Sequence, residues 1–171
     1  VMRELSTNTS NGASVDFSSA MSTINKIGDL TNASMNVEQV AQVILDTMIN
    51  QFPAVASEIC IWDANDQAMV QRGWVGDTHY LISMAERGGR YAMGEGIVGW
   101  VAQHQQPLIV KTVKELVDIS PIMGDMNYHS AIAIPLQTTS RLFGTLAFYG
   151  TTENAYQQSH LSLLQAISSA I

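Results

Sequence analysis

Between Gly94 and Leu146 the chain carries three segments whose order restricts its fold more than anything else in it. Gly94-Glu95-Gly96-Ile97-Val98-Gly99-Trp100-Val101-Ala102 is a glycine-punctuated helix start. Ser130-Ala131-Ile132-Ala133-Ile134-Pro135-Leu136 and Phe143-Gly144-Thr145-Leu146 follow it. The last two read as strand runs too apolar to leave either face in water. They call for a sheet sheltered on both sides, with a short helix lying against one of them.

At 171 residues the chain is long enough for one domain with a substantial core and no need of disulfides or metals. Charged residues make up only 13% of it, about half the usual share. With a mean hydropathy of +0.08, part of the surface is expected to lie against a partner or a neighbouring domain. A net charge of −7 with eight scattered basic residues argues against nucleic acid and against direct contact with an anionic membrane. The single cysteine, Cys60, suits a reducing compartment. No apolar run approaches the ~18 residues of a membrane span, and the first residues lack a signal-peptide core. The expectation is a soluble, cytoplasmic domain.

Residues 1–15, rich in Ser, Thr and Asn, read as a flexible lead-in. Residues 16–31 follow a helical pattern in which Phe17, Ala20, Ile24 and Ile27 form a narrow coiled-coil-like seam, too short to stand alone. Residues 32–171 form the domain proper. Asn36 and Gln39 make a capping box for a helix carrying Val37, Val40, Ala41, Ile44, Met48 and Phe52, stopped at Pro53. Ser57–Trp62 and Ala68–Trp74 read as a hairpin around Asp63-Ala64-Asn65-Asp66. A short helix near Tyr80 to Ala85 ends at Gly88-Gly89, and Pro107–Val113 is a strand. Residues 114–129 read as a loop with one helical turn, and Gly144 marks a bulge or a close backbone approach. In the final helix Leu161, Leu164, Ile167 and Ile171 share a face. The pattern is still running at Ile171, as expected of a chain cut within that helix.

Taken with Gln106-Pro107-Leu108-Ile109-Val110 and Ile134-Pro135-Leu136, the Gly94–Ala102 and Phe143–Leu146 motifs resemble those of GAF domains. The likeness covers about residues 35–171. It implies an α+β fold, layered α/β/α and GAF/PAS-like. A central antiparallel sheet of about six strands would carry helices on both faces. The Trp100 helix and the 114–129 loop would cover the side where family members hold small molecules. Two positions depart from the family pattern. Lys111-Thr112 replaces a Pro-Asp or Asn-Asp pair, and His160 stands where an acidic residue commonly opens the last helix. A carboxylate there would suit the helix dipole better, so a weaker helix start is expected.

The resemblance implies a sensory or regulatory domain of a larger signalling protein, of the histidine kinase, cyclase, phosphodiesterase or transcription-regulator type. It would be a homodimer through its terminal helices, at Phe17, Ala20, Ile24, Ile27, Leu161, Leu164 and Ile171, with an output domain in the same parent chain. A ligand-free spacer and dimerisation domain is the alternative. Trp74, Tyr91, Trp100, Met123, Met126, Tyr128, His129 and Thr145 are the candidate pocket residues, and whether they line a pocket or fill a core stays open. The Gly94–Gly96 turn could offer helix amides to an anion, but tight packing explains its glycines without one.

His79, His104, His129 and His160 are dispersed without metal-ligand spacing, so no metal or haem is expected. Bilin-carrying members place Cys-His just before the strand equivalent to Ser130–Leu136, and residues 114–129 hold no cysteine. No covalent bilin is expected, and the identity of any other cofactor is open. The asparagine-lysine signature of cyclic-nucleotide binders is incomplete. Cys60, between Ile59 and Ile61, reads as an inert buried thiol rather than the thiolate of a methionine sulfoxide reductase. No catalytic constellation stands out, and the domain reads as non-enzymatic.

Overall fold

The computed structural model describes residues 37–86, 88–121, 127–137 and 142–168. The lead-in, the 16–31 helix with Phe17, Ala20, Ile24 and Ile27, the Asn36 cap, Met123, Met126 and Ile171 lie outside these residues.

Helix α1 (Val37–Met48) continues into a short 3-10 turn (Ile49–Gln51) before Pro53. The hairpin β1 (Ala56–Asp63) and β2 (Ala68–Val75) follows. Its turn is set by Asp63, whose carboxylate accepts the Asn65 and Asp66 amides at 2.9 and 3.1 Å. Helix α2 (Thr78–Glu86) and the two-residue β3 (Arg90–Tyr91) come next. Then come α3 (Gly96–His104), β4 (Leu108–Val110), α4 (Val113–Ile119), β5 (Ser130–Gln137), β6 (Leu142–Gly150) and α5 (Gln158–Ser168). The six strands form one antiparallel sheet in the order β3-β2-β1-β6-β5-β4.

Strand alternation divides the core into two layers. Ile59 of β1, Ile132, Ile134 and Leu136 of β5, and Leu146 and Phe148 of β6 face α1 and α5. They meet Ala41, Ile44, Leu45 and Met48 from α1 and Leu164 from α5, with Leu161 half-buried beside them. Ala56 and Cys60 of β1, Ala131 and Ala133 of β5, and Ala147 and Tyr149 of β6 face the other way, towards Ile97, Val98, Val101 and Ala102 of α3. The small residues on this second face leave depth for large side chains from elsewhere.

Three local readings are refined by the geometry. The expected 107–113 strand is only Leu108–Val110, because Thr112 turns the chain into α4 by accepting the Glu115 amide at 3.2 Å. Glu115 reaches back to the Lys111 amide at 3.0 Å, so the pair that departs from the family pattern still starts a helix. Gly144 marks both things read from it. The β5–β6 register shifts at Leu136/Gln137, and a Cβ on Gly144 would lie 2.7 Å from the Cys60 carbonyl oxygen.

His160 also replaces what it displaces. Its Nδ1 accepts the Gln157 amide at 3.0 Å, the position of a glutamate in a capping box. The ring is buried between Phe52 and Tyr156, at centroid distances of 6.1 and 5.9 Å. Burial holds its pKa below the ordinary histidine value. Only the neutral ring can accept the bond. Its contribution is present above the ordinary histidine range and is lost as pH falls through the lowered value. His160→Ala is expected to lower stability by about 1–2 kcal/mol near pH 8 and by less near pH 5. Urea denaturation at both pH values measures this, and a loss equal at both would count against the capping role.

Candidate functional site

The face of the sheet beneath α3 holds one group that an apolar layer does not ordinarily tolerate. Glu58 lies mid-way along β1, between β2 and β6, and is wholly buried. Glutamate is rarely buried unless its charge or its hydrogen bonds are answered. Tyr149 Oη donates to Oε1 at 2.6 Å, and Gln71 Nε2 donates to Oε2 at 2.9 Å. Tyr80 Oη straddles both oxygens at 3.2 Å, and Tyr91 Oη straddles them at 3.3 and 3.5 Å. A hydroxyl has one proton, so these last two cannot make two good bonds each. Among the described residues no Lys, Arg or His pairs with Glu58. The two ion pairs among the described residues are at the surface, Arg72–Glu38 and Arg90–Asp66.

The β1–β2 bulge sets this arrangement. The register passes from Ile59↔Gly73 to Cys60↔Gln71, leaving Arg72 as the extra residue. Gln71 and Trp74, three residues apart, thereby come to the same face as Glu58. Asp77 accepts the His79 amide at 2.7 Å and opens α2, which delivers Tyr80. Gly88 and Gly89, at φ +77° and +67°, turn the chain back into β3 and Tyr91.

Aromatic rings enclose the carboxylate. Trp74 stacks on Tyr80 with centroids 4.3 Å apart, and Tyr128 stacks on Tyr149 at 5.5 Å. Trp74 Nε1 donates to the Asp77 carbonyl at 3.1 Å. The Tyr128 hydroxyl is buried near the Asp77 backbone without a partner in hydrogen-bonding geometry. Burial holds the Glu58 carboxyl above the usual carboxylate range, against the pull of its bonds from Tyr149, Gln71 and Tyr80. Burial, and then the Glu58 charge, push the Tyr149 phenol and the Cys60 thiol well above their ordinary values. Cys60 is therefore held as a thiol inside β1.

Of the residues picked from the sequence, Trp74, Tyr91 and Tyr128 meet in this cluster. Trp100 packs against it from α3, but its ring stacks on exposed His104 at 4.0 Å. Thr145 is buried and donates to the Val98 carbonyl at 3.4 Å, fastening α3 to the sheet. His129 is half-buried, and its backbone amide donates to the Gly150 carbonyl at 2.8 Å. Sequence reasoning missed Glu58, Gln71, Tyr80 and Tyr149. The signal was there: one carboxylate inside Ala56-Ser57-Glu58-Ile59-Cys60-Ile61-Trp62, on the face shared with Ala56 and Cys60. At the Gly94–Gly96 turn the Ala92 amide is taken by Glu95 at 2.9 Å, and Gly99 closes on the turn. That is the packing role. No set of three metal-ligating side chains converges among the described residues, and no helix there is long and apolar enough to cross a membrane.

A layered antiparallel sheet with α3 on one face and α1 and α5 on the other defines a class of small regulatory folds. Residues 34–171 match the GAF domain profile, and the chain belongs to that family. The GAF domain of a phosphoenolpyruvate-protein phosphotransferase from Acinetobacter is similar at a TM-score of 0.72 and 16% identity, covering 88% of each chain. Its Coxiella burnetii counterpart is similar at 0.70 and 20%, covering 90% of this chain and 89% of that one. The free methionine-R-sulfoxide reductase of Neisseria meningitidis, solved with its substrate, is similar at 0.69 and 13%, covering 88% and 84%. At these identities the likeness is one of fold. No curated protein sequence matches the chain.

Proposed function

We propose that this GAF domain is the sensory module of a larger cytoplasmic signal-transduction protein, and that it binds a small molecule at the Glu58 cluster. The parent would be of the histidine kinase, cyclase, phosphodiesterase or transcription-regulator type. One observation carries the ligand half: a wholly buried carboxylate, ringed by aromatic side chains and answered by no basic group among the described residues. An ionisable group in that setting opposes folding, and such groups concentrate at functional sites. The cluster lies on the face where a ligand would contact α3 and α2. The domain is read as non-catalytic, since its one cysteine is sealed in the sheet as a thiol.

Native mass spectrometry and a thermal-shift screen against nucleotides, tetrapyrroles, amino acids and inorganic anions test this reading. A carried or stabilising ligand, lost on substitution at Trp74, is the expected result. Uniform silence favours the second reading, a spacer domain. The observation on that side is that Trp74, Tyr80, Tyr91 and Tyr149 already fill the space and bond Glu58 from within the chain.

The signal would leave through a homodimer of the terminal helices, with half-buried Leu161 of α5 joining the 16–31 seam and output passing to a domain in the same parent chain. Leu164, expected at that seam, is instead buried in its own subunit's core against α1 and the sheet. Ile24→Asp with Ile27→Asp is expected to leave the chain folded and to shift it from dimer to monomer in sedimentation velocity. Wild type sedimenting as a monomer at high concentration overturns the dimer.

A further inference from the structure

We propose that the ligand is a small organic cation, a primary or quaternary ammonium, seated against the Glu58 carboxylate between the faces of Trp74, Tyr80, Tyr128 and Tyr149. This rests on the ligand-binding reading above and names its chemistry.

Charge is the first argument. An anion would meet Glu58 in a setting where no described basic side chain offsets it. A neutral molecule would leave the carboxylate as costly as before. A cation supplies the missing countercharge, and it does so next to aromatic faces whose quadrupoles attract ammonium groups. The chain's net charge of −7 draws cations towards the domain and repels anions.

The hydrogen bonds to Glu58 are graded in strength, and the weak ones come from α2 and β3. Tyr149 and Gln71 hold one oxygen each at 2.6 and 2.9 Å. The straddling contacts of Tyr80 and Tyr91, at 3.2 to 3.5 Å, are the weaker ones that an ammonium can displace. The buried Tyr128 hydroxyl adds an oxygen without a partner in hydrogen-bonding geometry, able to accept from an N–H.

A way in also exists. β3 pairs only with Met69 and Val70, and the Gln71 amide donates to the Gly89 carbonyl, so among the described residues no strand covers the outer edge of β2 from Arg72 to Val75. A cleft of about 280 Å³ opens there, lined by Gln42, Gln71, Arg72, Gly73, Trp74 and Leu81. Gln71 and Trp74 are thus both cleft lining and cluster members. Above them α2 buries only Tyr80 and Met84 and leaves Leu81 and Ile82 exposed. It is flanked by Gly76, Gly88 and Gly89, all at positive φ. Lifting α2 withdraws Tyr80 from Glu58 and joins the cleft to the carboxylate.

Among the described residues the side chains bonded to Glu58 or beside it are Tyr80, Tyr91, Tyr149, Gln71 and Cys60, none of them basic. A cation favours the ionised carboxyl, so its binding tightens as pH rises through the raised Glu58 value.

The test uses the intact chain with tetramethylammonium and n-butylammonium chlorides, against n-butanol, sodium butyrate and sodium chloride at matched ionic strength. The two ammonium salts are expected to raise Tm by about 3 °C or more, and the other three to leave it in place. Glu58→Gln is expected to weaken binding at least tenfold, by titration calorimetry. Should Glu58→Gln not fold, Trp74→Phe, which keeps an aromatic face but weakens the cation–π attraction and gives up the indole bond to Asp77, is expected to weaken it about fivefold. Equal shifts with butanol, shifts with butyrate alone, or binding untouched by both variants overturn the cation and leave a ligand site. Silence from these five probes overturns the cation too. If the broader screen is also silent, the ligand-binding reading falls with it.

Discussion

Replacing Glu58 with alanine is expected to cost about 3–5 kcal/mol, through the cavity it opens and the donors it leaves unanswered. Tyr149, Gln71, Tyr80 and Tyr91 all direct polar hydrogens at its two oxygens. Glu58→Gln keeps the shape but presents N–H to one of those donors, and a loss of about 1–3 kcal/mol is expected. The acid limb separates electrostatics from packing. Burial keeps the folded carboxyl above its ordinary value, so the folded state holds that proton to higher pH than the unfolded chain does. The resulting stability is fully present below the usual carboxylate range and is lost as pH rises through the raised value. Wild type should therefore lose ground to Glu58→Gln as pH rises from the usual carboxylate range through the raised Glu58 value, as read by urea denaturation. Parallel curves would show that Glu58 does not titrate differently on folding.

Gly99→Ala is the second substitution with a large expected effect. A Cβ there would stand 2.3 Å from the Ala92 carbonyl oxygen and 3.1 Å from the Gly94 nitrogen, and both are backbone atoms. The Gly94 amide also donates to the Gly99 carbonyl at 2.9 Å, so helix and turn are locked together. Neither side can yield by changing a rotamer, so a loss of about 3 kcal/mol is expected. Gly89→Ala is the control. It meets nothing within 4 Å but sits at φ +67°, and about 1 kcal/mol is expected there. Urea denaturation of both variants decides it, and a Gly99→Ala loss no larger than the control would undo the packing argument.

These two residues mark how far the sequence could be read. Gly99 belongs to a motif whose glycines, helix and following strands follow from apolar periodicity and turn chemistry, both local properties. The six-strand sheet, the Asp63 turn and the division of helices between faces follow from the same signals. Glu58 stood out in the sequence only as a carboxylate in an apolar strand, and its partners, 13 to 91 residues away in the chain, could not be read. Hydrophobic periodicity registers apolar neighbours and passes over one carboxylate among them. Tyr80 was read only as part of a helix, since nothing local says which way that helix faces. The bulge that brings Gln71 and Trp74 to one side has no marker of its own in the sequence. His160 shows a different limit. The helix start was expected to be weak for want of a carboxylate, yet a neutral imidazole accepts the same amide.

The strand that carries Glu58 is only one residue thick. Its next residue, Ile59, points the opposite way and sits with Leu45 and Ala41 of α1 around Gly73, where a Cβ would find them at 3.0 to 3.3 Å. There is no slack between them. A shift of the backbone at Glu58 on one side must therefore press on α1 on the other, so β1 serves as a short lever between the buried carboxylate and the helix at the domain's entrance.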